Sequence, residues 1–406
     1  MKANINLDYF INNFVTKRKE SLLSSDFVKY ESQLKERINS KTVLVIGGAG
    51  TIGSSYIKAI LKFKIQKLVV VDINENGLTE LVRDLRSSEG YEIPEDFITY
   101  PINFGDPVFE KMFRSLGPFD IVANFAAHKH VRSEKDIFSI EAMIENNVLR
   151  ARKLLDLLLE FPPDHFFCVS TDKAANPVNI MGASKKLMEE LIMTYSDKIP
   201  IKTARFANVA FSNGSLPLGF LERMNKQQPW SCPLGIRRFF VSPQESGELC
   251  LMASIIGESG DIFYPKLDEE KDMIPFDEIA LDLLKYMDLE ADICESEDEA
   301  IQKSRLLNAE STTYPIYFFG SDTSGEKSFE EFFTDEEVLD TESFINLGVI
   351  KNSVKRDKKE IDVIFKNLEN LFKSNNITKA AIVNILKTYL PNFEHIETGK
   401  GLDSKM

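Results

Sequence analysis

Val43-Leu44-Val45-Ile46-Gly47-Gly48-Ala49-Gly50-Thr51-Ile52-Gly53 is the stretch that decides the fold. Four apolar residues run without alternation into a glycine cluster, the pattern of a parallel strand buried on both faces. The glycines open what reads as a helix continuing to about Phe63. A second apolar run, Lys67-Leu68-Val69-Val70-Val71, ends on Asp72, about 20 residues beyond Gly53. A strand, a Gly-x-x-Gly-x-x-Gly turn, a helix and a second strand closed by an acid make a dinucleotide-binding pattern. Glycines let the backbone approach a pyrophosphate, whose charge then meets the free N–H groups of the helix start. A carboxylate at Asp72 accepts hydrogen bonds from ribose hydroxyls and repels a 2′-phosphate, so the expected cofactor is NAD rather than NADP. Gly47, Gly50, Thr51, Ile52, Gly53 and Asp72 are the residues expected to hold it.

Working outward, further strands are expected at 97–101, 121–125, 166–170 and 203–206, with helices near 76–88, 106–116, 138–159 and 181–196. Alternation of this kind predicts an α/β protein, a Rossmann-type doubly wound parallel sheet over residues 41–207. Residues 1–40 read as an N-terminal helical extension whose Phe10, Phe14, Leu22 and Phe27 pack on the main body or a second subunit. Past Asn208 the pattern loosens. Turns and short strands are expected over 212–245 and a helix over 243–256, while the acidic run 289–300 reads as a solvated loop or helix face. Residues 208–345 are expected to form a smaller substrate-binding domain, partly interleaved, over the strand ends, where ligands bind in such sheets. Residues 346–406 read as a C-terminal extension with two charged helices, the second around 379–389.

Hydrophobic residues make up 43% and charged residues 28% of the 406, as in an ordinary globular protein. The formal charge of -14 argues against nucleic acid and anionic membranes as partners. An anionic substrate then needs a local basic pocket. Cys168, Cys232, Cys250 and Cys294 fit neither a metal site nor a disulfide framework, so no metal and a reducing compartment are expected. No segment approaches the ~20 apolar residues of a membrane helix, and the N-terminus lacks a signal-peptide core. The expectation is a cytoplasmic protein without membrane insertion.

Asn124-Phe125-Ala126-Ala127 resembles the segment beside the cofactor in the short-chain dehydrogenase/reductase superfamily, which adds Ala126 and Ala127 to the cofactor residues. Asn103 falls where those proteins often hold an acid against the adenine, a departure at that contact. In the superfamily the helix after the fifth strand carries Tyr-x-x-x-Lys, whose two residues share one helix face. Here Lys185 is present, but Met181 stands in the tyrosine position and cannot accept a proton.

The surrounding block, Ser170-Thr171-Asp172-Lys173-Ala174-Ala175-Asn176-Pro177-Val178-Asn179-Ile180-Met181-Gly182-Ala183-Ser184-Lys185-Lys186, closely resembles the polysaccharide-biosynthesis family of nucleotide-sugar 4,6-dehydratases, UDP-N-acetylglucosamine 4,6-dehydratases among them. Larger, usually membrane-attached members of that family carry methionine in place of the tyrosine. Ala126-Ala127-His128-Lys129-His130-Val131, Asn147-Val148-Leu149, Arg205-Phe206-Ala207-Asn208-Val209 and Gly325-Glu326-Lys327 extend the resemblance from about Lys41 to about Glu337. It implies a lyase reaction of three steps: oxidation at C4 of a UDP-amino sugar by NAD, loss of water across C5 and C6, and return of the hydride to C6. It further implies Asp172 as the acid on the 6-hydroxyl and Lys173 as the base at C5. With Met181 in place, Thr171 is the nearest hydroxyl on the motif to orient or relay the 4-hydroxyl proton, with Lys185 supplying positive charge.

For the substrate, Arg238 is the candidate for the diphosphate, since a guanidinium binds phosphate in a bidentate manner. Asn208, Ser215, Lys327, Lys129 and His130 are the further substrate candidates. A homo-oligomer is expected, since helices near 106–116 and 138–159 commonly pack between subunits in the superfamily. The alternatives are a UDP-sugar 4-epimerase or a C5-inverting dehydratase on the same fold, and a catalytically inactive NAD-binding sensor or scaffold, which Met181 motivates.

Overall fold

The computed structural model describes residues 5–129, 134–320, 330–374 and 377–395. The N-terminal extension holds α1 (Leu7–Phe10), a π turn over Ile11–Val15, and α2 (Ser24–Ile38). Six parallel strands follow: β1 (Thr42–Ile46), β2 (Lys67–Val71), β3 (Asp96–Tyr100), β4 (Ile121–Asn124), β5 (His165–Val169) and β6 (Ile201–Ala204). Between them run α3 (Thr51–Ile60), α4 (Glu75–Ser87), α5 (Pro107–Leu116), α6 (Ile137–Ile144), α7 (Arg150–Glu160) and α8 (Ile180–Thr194). Parallel strands require crossovers, and the helices supply them on both faces of the sheet.

Short strands β7 (Asn208–Val209), β8 (Trp230–Pro233) and β9 (Arg237–Val241) come next, with α9 (Leu216–Asn225) and α10 (Pro243–Ile256). Then come β10 (Ile262–Pro265), α11 (Glu269–Asp272), β11 (Met273–Pro275), α12 (Phe276–Tyr286), β12 (Glu290–Cys294), α13 (Glu297–Ser304) and β13 (Thr313–Phe319). The chain ends with β14 (Leu339–Asp340), β15 (Leu347–Ile350), α14 (Lys358–Phe372) and α15 (Lys379–Tyr389).

The main sheet runs β14-β15-β10-β6-β5-β4-β1-β2-β3. β15 is antiparallel to β10 and β14 antiparallel to β15; every other pairing is parallel. Strand order reverses between β1 and β4, which opens a crevice at their carboxyl ends. This is the doubly wound Rossmann-type α/β architecture. Its sheet also recruits β10, β14 and β15 from beyond Asn208. Two smaller sheets, β11-β9-β7 and β12-β13-β8, are separate from it.

One core lies on each face of the main sheet. The first gathers Leu44, Val122, Met188 and Leu191 with Ile361 and Phe365 of α14. The second gathers Val45, Leu68, Tyr56 and Leu251, and takes in Leu34 and Ile38 of α2. A third core surrounds Trp230, Phe220 and Tyr314, and receives Phe10 and Ile11. Phe14 packs at its margin, while Leu22 and Phe27 pack against the second core. The N-terminal extension thus bridges two cores. Arg18 fastens it, donating from Nε to Glu245 Oε1 at 2.8 Å and from Nη2 to the Phe240 carbonyl at 2.9 Å.

Three elements depart from the sequence reading. The run 212–245 contains α9, which Ser215 caps by accepting from Leu218 N, with a proline in the first turn. The acidic stretch begins with an edge strand, since β12 pairs in parallel with β13 while Cys294 is buried. The expected 138–159 helix is divided by a π turn over Glu145–Leu149. No described helix is long and apolar enough to cross a membrane.

Candidate active site

The β1–α3 turn shapes the first half of the site. Gly47 adopts φ +78, and a Cβ there would fall 2.5 Å from Ala126 N, so only glycine lets this turn press against the end of β4. Gly50 caps α3 without a side-chain hydrogen bond, and a Cβ on it would meet nothing closer than Gly47 O at 3.5 Å. Gly47 and Gly50 line a cavity of 220 Å³ with Asp72, Asn103, Ala126 and Ala127. Asp72 braces the turn: its Oδ2 accepts from Ala49 N and its Oδ1 from Asn74 N, both at 2.9 Å. Asn103 Oδ1 accepts from Gly105 N at 2.8 Å. A helix start open to anions, glycines without obstruction and a carboxylate at the second strand end fit a dinucleotide. Thr51 lies outside this lining, and its Oγ1 accepts from Asn213 N at 3.0 Å.

A second cavity of 260 Å³ adjoins the first, sharing Phe125 and Ala127, and Ile52 lies on its wall. Thr171, Asp172, Lys173, Met181 and Lys185 all line it, as do Lys129, Asn208 and Ser215. The sequence motif is therefore assembled at one place. β5 delivers Thr171, a single 3-10 turn places Asp172 and Lys173, and α8 supplies Met181 and Lys185. The helix lies so close to the turn that a Cβ on Gly182 would sit 2.6 Å from the Lys173 carbonyl oxygen.

Lys173 Nζ donates to both oxygens of Asp172, at 3.1 and 3.0 Å, and Thr171 Oγ1 donates to Asp172 Oδ1 at 2.7 Å. Burial disfavours the Lys173 ammonium, but the carboxylates of Asp172 and Glu330 prevail and hold its pKa above the ordinary lysine value. Lys185 Nζ donates to the Val169 carbonyl at 2.6 Å, and burial lowers its pKa. Met181, 2% exposed, sits one turn before Lys185.

Of the substrate candidates, Asn208 Nδ2 donates to Glu330 Oε1 at 2.6 Å, and Ser215 caps α9. Arg238 is buried outside the cavity lining, its Nε 3.8 Å from Glu330 Oε1. His130 and Lys327 lie outside the described residues.

Sequence reasoning missed several participants. Glu330 reaches the site from far along the chain. Glu134 Oε1 accepts from Met181 N at 2.9 Å, placing a carboxylate at the start of α8. Asn147, in the π turn, accepts from His128 N at 2.9 Å and donates to the His128 carbonyl at 2.9 Å and Ser184 Oγ at 3.1 Å. A π insertion re-aims a side chain that a continuous helix would direct elsewhere, and such turns recur at functional sites.

Crevice, glycine turn and adjoining cavity define a protein of the extended short-chain dehydrogenase/reductase fold. Residues 43–352 match the family described as polysaccharide biosynthesis protein, and the chain belongs to that family. The capsular polysaccharide biosynthesis protein CapD of Staphylococcus aureus is 27% identical over 91% of this chain, which spans 58% of CapD's length. An uncharacterised membrane protein of Methanocaldococcus jannaschii is 30% identical over 86% of the chain and 95% of its own length. A UDP-N-acetylglucosamine 4,6-dehydratase (inverting) of Campylobacter jejuni is 25% identical over 57% of the chain and 69% of its own length. Among solved structures, Pen from Bacillus thuringiensis superposes with a TM-score of 0.61 at 20% identity, covering 79% of this chain and 90% of its own. DesIV from Streptomyces venezuelae, a dTDP-glucose 4,6-dehydratase with NAD and TYD bound, gives a TM-score of 0.53 at 17% identity, covering 72% and 88%.

Proposed function

We propose that this chain is an NAD-dependent 4,6-dehydratase of a UDP-linked amino sugar, with UDP-N-acetylglucosamine the first candidate, serving polysaccharide biosynthesis. One observation carries the reading. Asp172 and Lys173, hydrogen-bonded to each other, line the same cavity as Met181 and Lys185, next to the crevice that fits a dinucleotide. The relative named as a UDP-N-acetylglucosamine 4,6-dehydratase supports this class of substrate, and the one named for capsular polysaccharide biosynthesis supports the pathway.

Gly47, Gly50 and the open start of α3 would hold the pyrophosphate of NAD, and Asp72 the adenosine ribose. Bound there, NAD supplies a reversible acceptor for the hydrogen at C4. The chain's own groups govern the protons. The hydrogen bond between Asp172 and Lys173 is a path along which a proton of the Lys173 ammonium can pass to Asp172. As an ion pair the cluster is at rest. With the proton on Asp172, it presents a carboxylic acid to the departing 6-hydroxyl and a neutral amine to the C5 proton. Lys185 would supply positive charge beside the 4-hydroxyl. The Thr171 hydroxyl, joined to Asp172, would orient the proton that no tyrosine is present to take.

Incubation of the purified protein and NAD with UDP-N-acetylglucosamine in deuterated water, followed by proton NMR, tests this. The expected outcome is a UDP-4-keto-6-deoxy sugar carrying deuterium at C5. Unchanged substrate, repeated across UDP-, dTDP- and GDP-sugars, would sink the reading.

A further inference from the structure

Glu330 sits where β9, Asn208 and the catalytic turn converge. Its carboxylate is fixed from two sides. Oε1 accepts from Asn208 Nδ2 at 2.6 Å, and Oε2 accepts from Phe239 N at 2.9 Å. Held there, Oε1 stands 4.0 Å from Lys173 Nζ and 3.8 Å from Arg238 Nε. The residues that follow tie the same segment to the catalytic layer. Glu331 Oε2 accepts from Asn176 Nδ2 at 3.1 Å, and Glu337 accepts from both terminal nitrogens of Arg205 at 2.9 Å.

Among the described residues, the groups facing the Lys173 ammonium are Asp172 on its own turn, Glu330 on the returning segment and Arg238 on β9. Two carboxylates and one guanidinium thus decide the balance. A carboxylate 6% exposed is costly to keep ionised unless cations stand against it. Burial and the charge of Asp172 push the Glu330 acid up to about 7, against the pull of Lys173, Arg238 and the Phe239 N–H. At 4.0 Å, Glu330 acts on Lys173 through charge more than through a hydrogen bond.

We propose that Glu330 is a positioning residue of the catalytic cluster, whose fixed carboxylate governs how firmly Lys173 keeps its proton and anchors Arg238 beside it. The proposal rests on the reading that Lys173 acts on the sugar, but it concerns Lys173 itself and is testable without turnover. Glu330→Gln keeps the side-chain length and an acceptor for Asn208 while removing the charge. Arg238 is then left facing Lys173 with one carboxylate fewer to offset it, and Lys173 gives up its proton more readily. Glu330→Asp keeps the charge but withdraws it by one methylene.

Trace acetylation with acetic anhydride across a pH series, read on the Lys173 peptide by mass spectrometry, reports the midpoint of its deprotonation. In Glu330→Gln that midpoint should fall by about one pH unit or more, as for an ammonium losing a charge within ~4 Å. In Glu330→Asp it should fall by less. An unchanged midpoint in folded Glu330→Gln overturns the proposal, as does an equal fall in both variants, which would assign the effect to packing. Should Glu330→Gln fail to fold, an unchanged midpoint in Glu330→Asp overturns it. In an active enzyme, the acid limb of the kcat profile should move to lower pH with the same variants. A midpoint that shifts as expected in a protein that turns over no sugar leaves this inference standing and removes only the dehydratase reading.

Discussion

Arg205 and Glu189 meet in the interior as a two-pronged pair, Nε to Oε1 at 2.9 Å and Nη2 to Oε2 at 2.8 Å, joining β6 to the helix that carries Met181 and Lys185. Arg205 is 0% exposed and Glu189 1%. Ser170 Oγ also donates to Glu189 Oε1, at 2.5 Å, so the pair supports the end of β5 as well. Removing one partner strands a buried charge, at a cost of about 3–5 kcal/mol. Arg205→Met should therefore lower the unfolding free energy by roughly that amount, measured by urea denaturation. A loss below ~1 kcal/mol would show that the pair is structurally idle.

The same pair sets a pH dependence. Burial pushes the Glu189 acid up, but Arg205 outweighs it and holds the pKa below the ordinary glutamate value. A depressed carboxyl stabilises the fold above its unfolded pKa, about 4.3, and that contribution is lost as pH falls through the lower folded value. The stability gap between wild type and Arg205→Met should be full at neutral pH and close below about pH 4. A gap constant down to that range would mean that Glu189 is not the partner that matters.

Much of the architecture was legible because its signals are local. The run Val43–Ile46, the glycines after it and Asp72 lie within one strand-helix-strand unit, and each residue type answers a constraint met inside that unit. The gathering of Thr171, Asp172, Lys173, Met181 and Lys185 around one cavity was legible for the same reason. Glu330 was not, since its partner Asn208 is 122 positions away and only the tertiary fold joins them. A second failure came from charge. The acids of Glu290–Cys294 suggested solvent, yet an edge strand needs only its backbone paired on one side, and β13 provides that. A third came from periodicity, which carries the apolar face of residues 138–159 smoothly and gives no sign of the π turn that redirects Asn147.

Gly182→Ala tests how closely α8 and the turn bearing Asp172 and Lys173 must approach. The added Cβ would meet the Lys173 carbonyl oxygen at 2.6 Å, a backbone atom that cannot rotate away. The turn bearing Asp172 and Lys173 must shift, while the glycine turn around Gly47 is untouched. In an active enzyme, kcat should fall about a hundredfold, as for a misplacement of ~1 Å. NAD affinity, measured by calorimetry, should stay within about twofold of wild type. A parallel loss of both would place the damage in the fold at large.

Asp72→Ala should act on the other half of the site. It removes the acceptor offered to the ribose and the brace on Ala49 N. A hydrogen bond to a charged group is worth about 1.5–3 kcal/mol, so NAD should bind about 10- to 100-fold more weakly. Calorimetric titration measures this directly. Undiminished affinity would mean that the second strand end does not meet the ribose.

Asp172→Asn separates chemistry from structure most cleanly. The amide retains one oxygen for the Thr171 hydroxyl and for Lys173 Nζ, while the second acceptor and the negative charge facing Lys173 are lost. What disappears is a proton that can pass to a leaving hydroxyl. A positioned acid contributes about 10²–10⁴-fold to rate, and kcat for water loss should fall within that span, followed by proton NMR of the sugar. NAD affinity should remain that of wild type, because Asp172 lines the cavity beside the dinucleotide crevice and not the crevice itself, while the unfolding midpoint should fall somewhat as Lys173 loses its carboxylate partner. Wild-type turnover in this variant would place the acid elsewhere, and among the described residues the carboxyl nearest to Lys173 would then be Glu330.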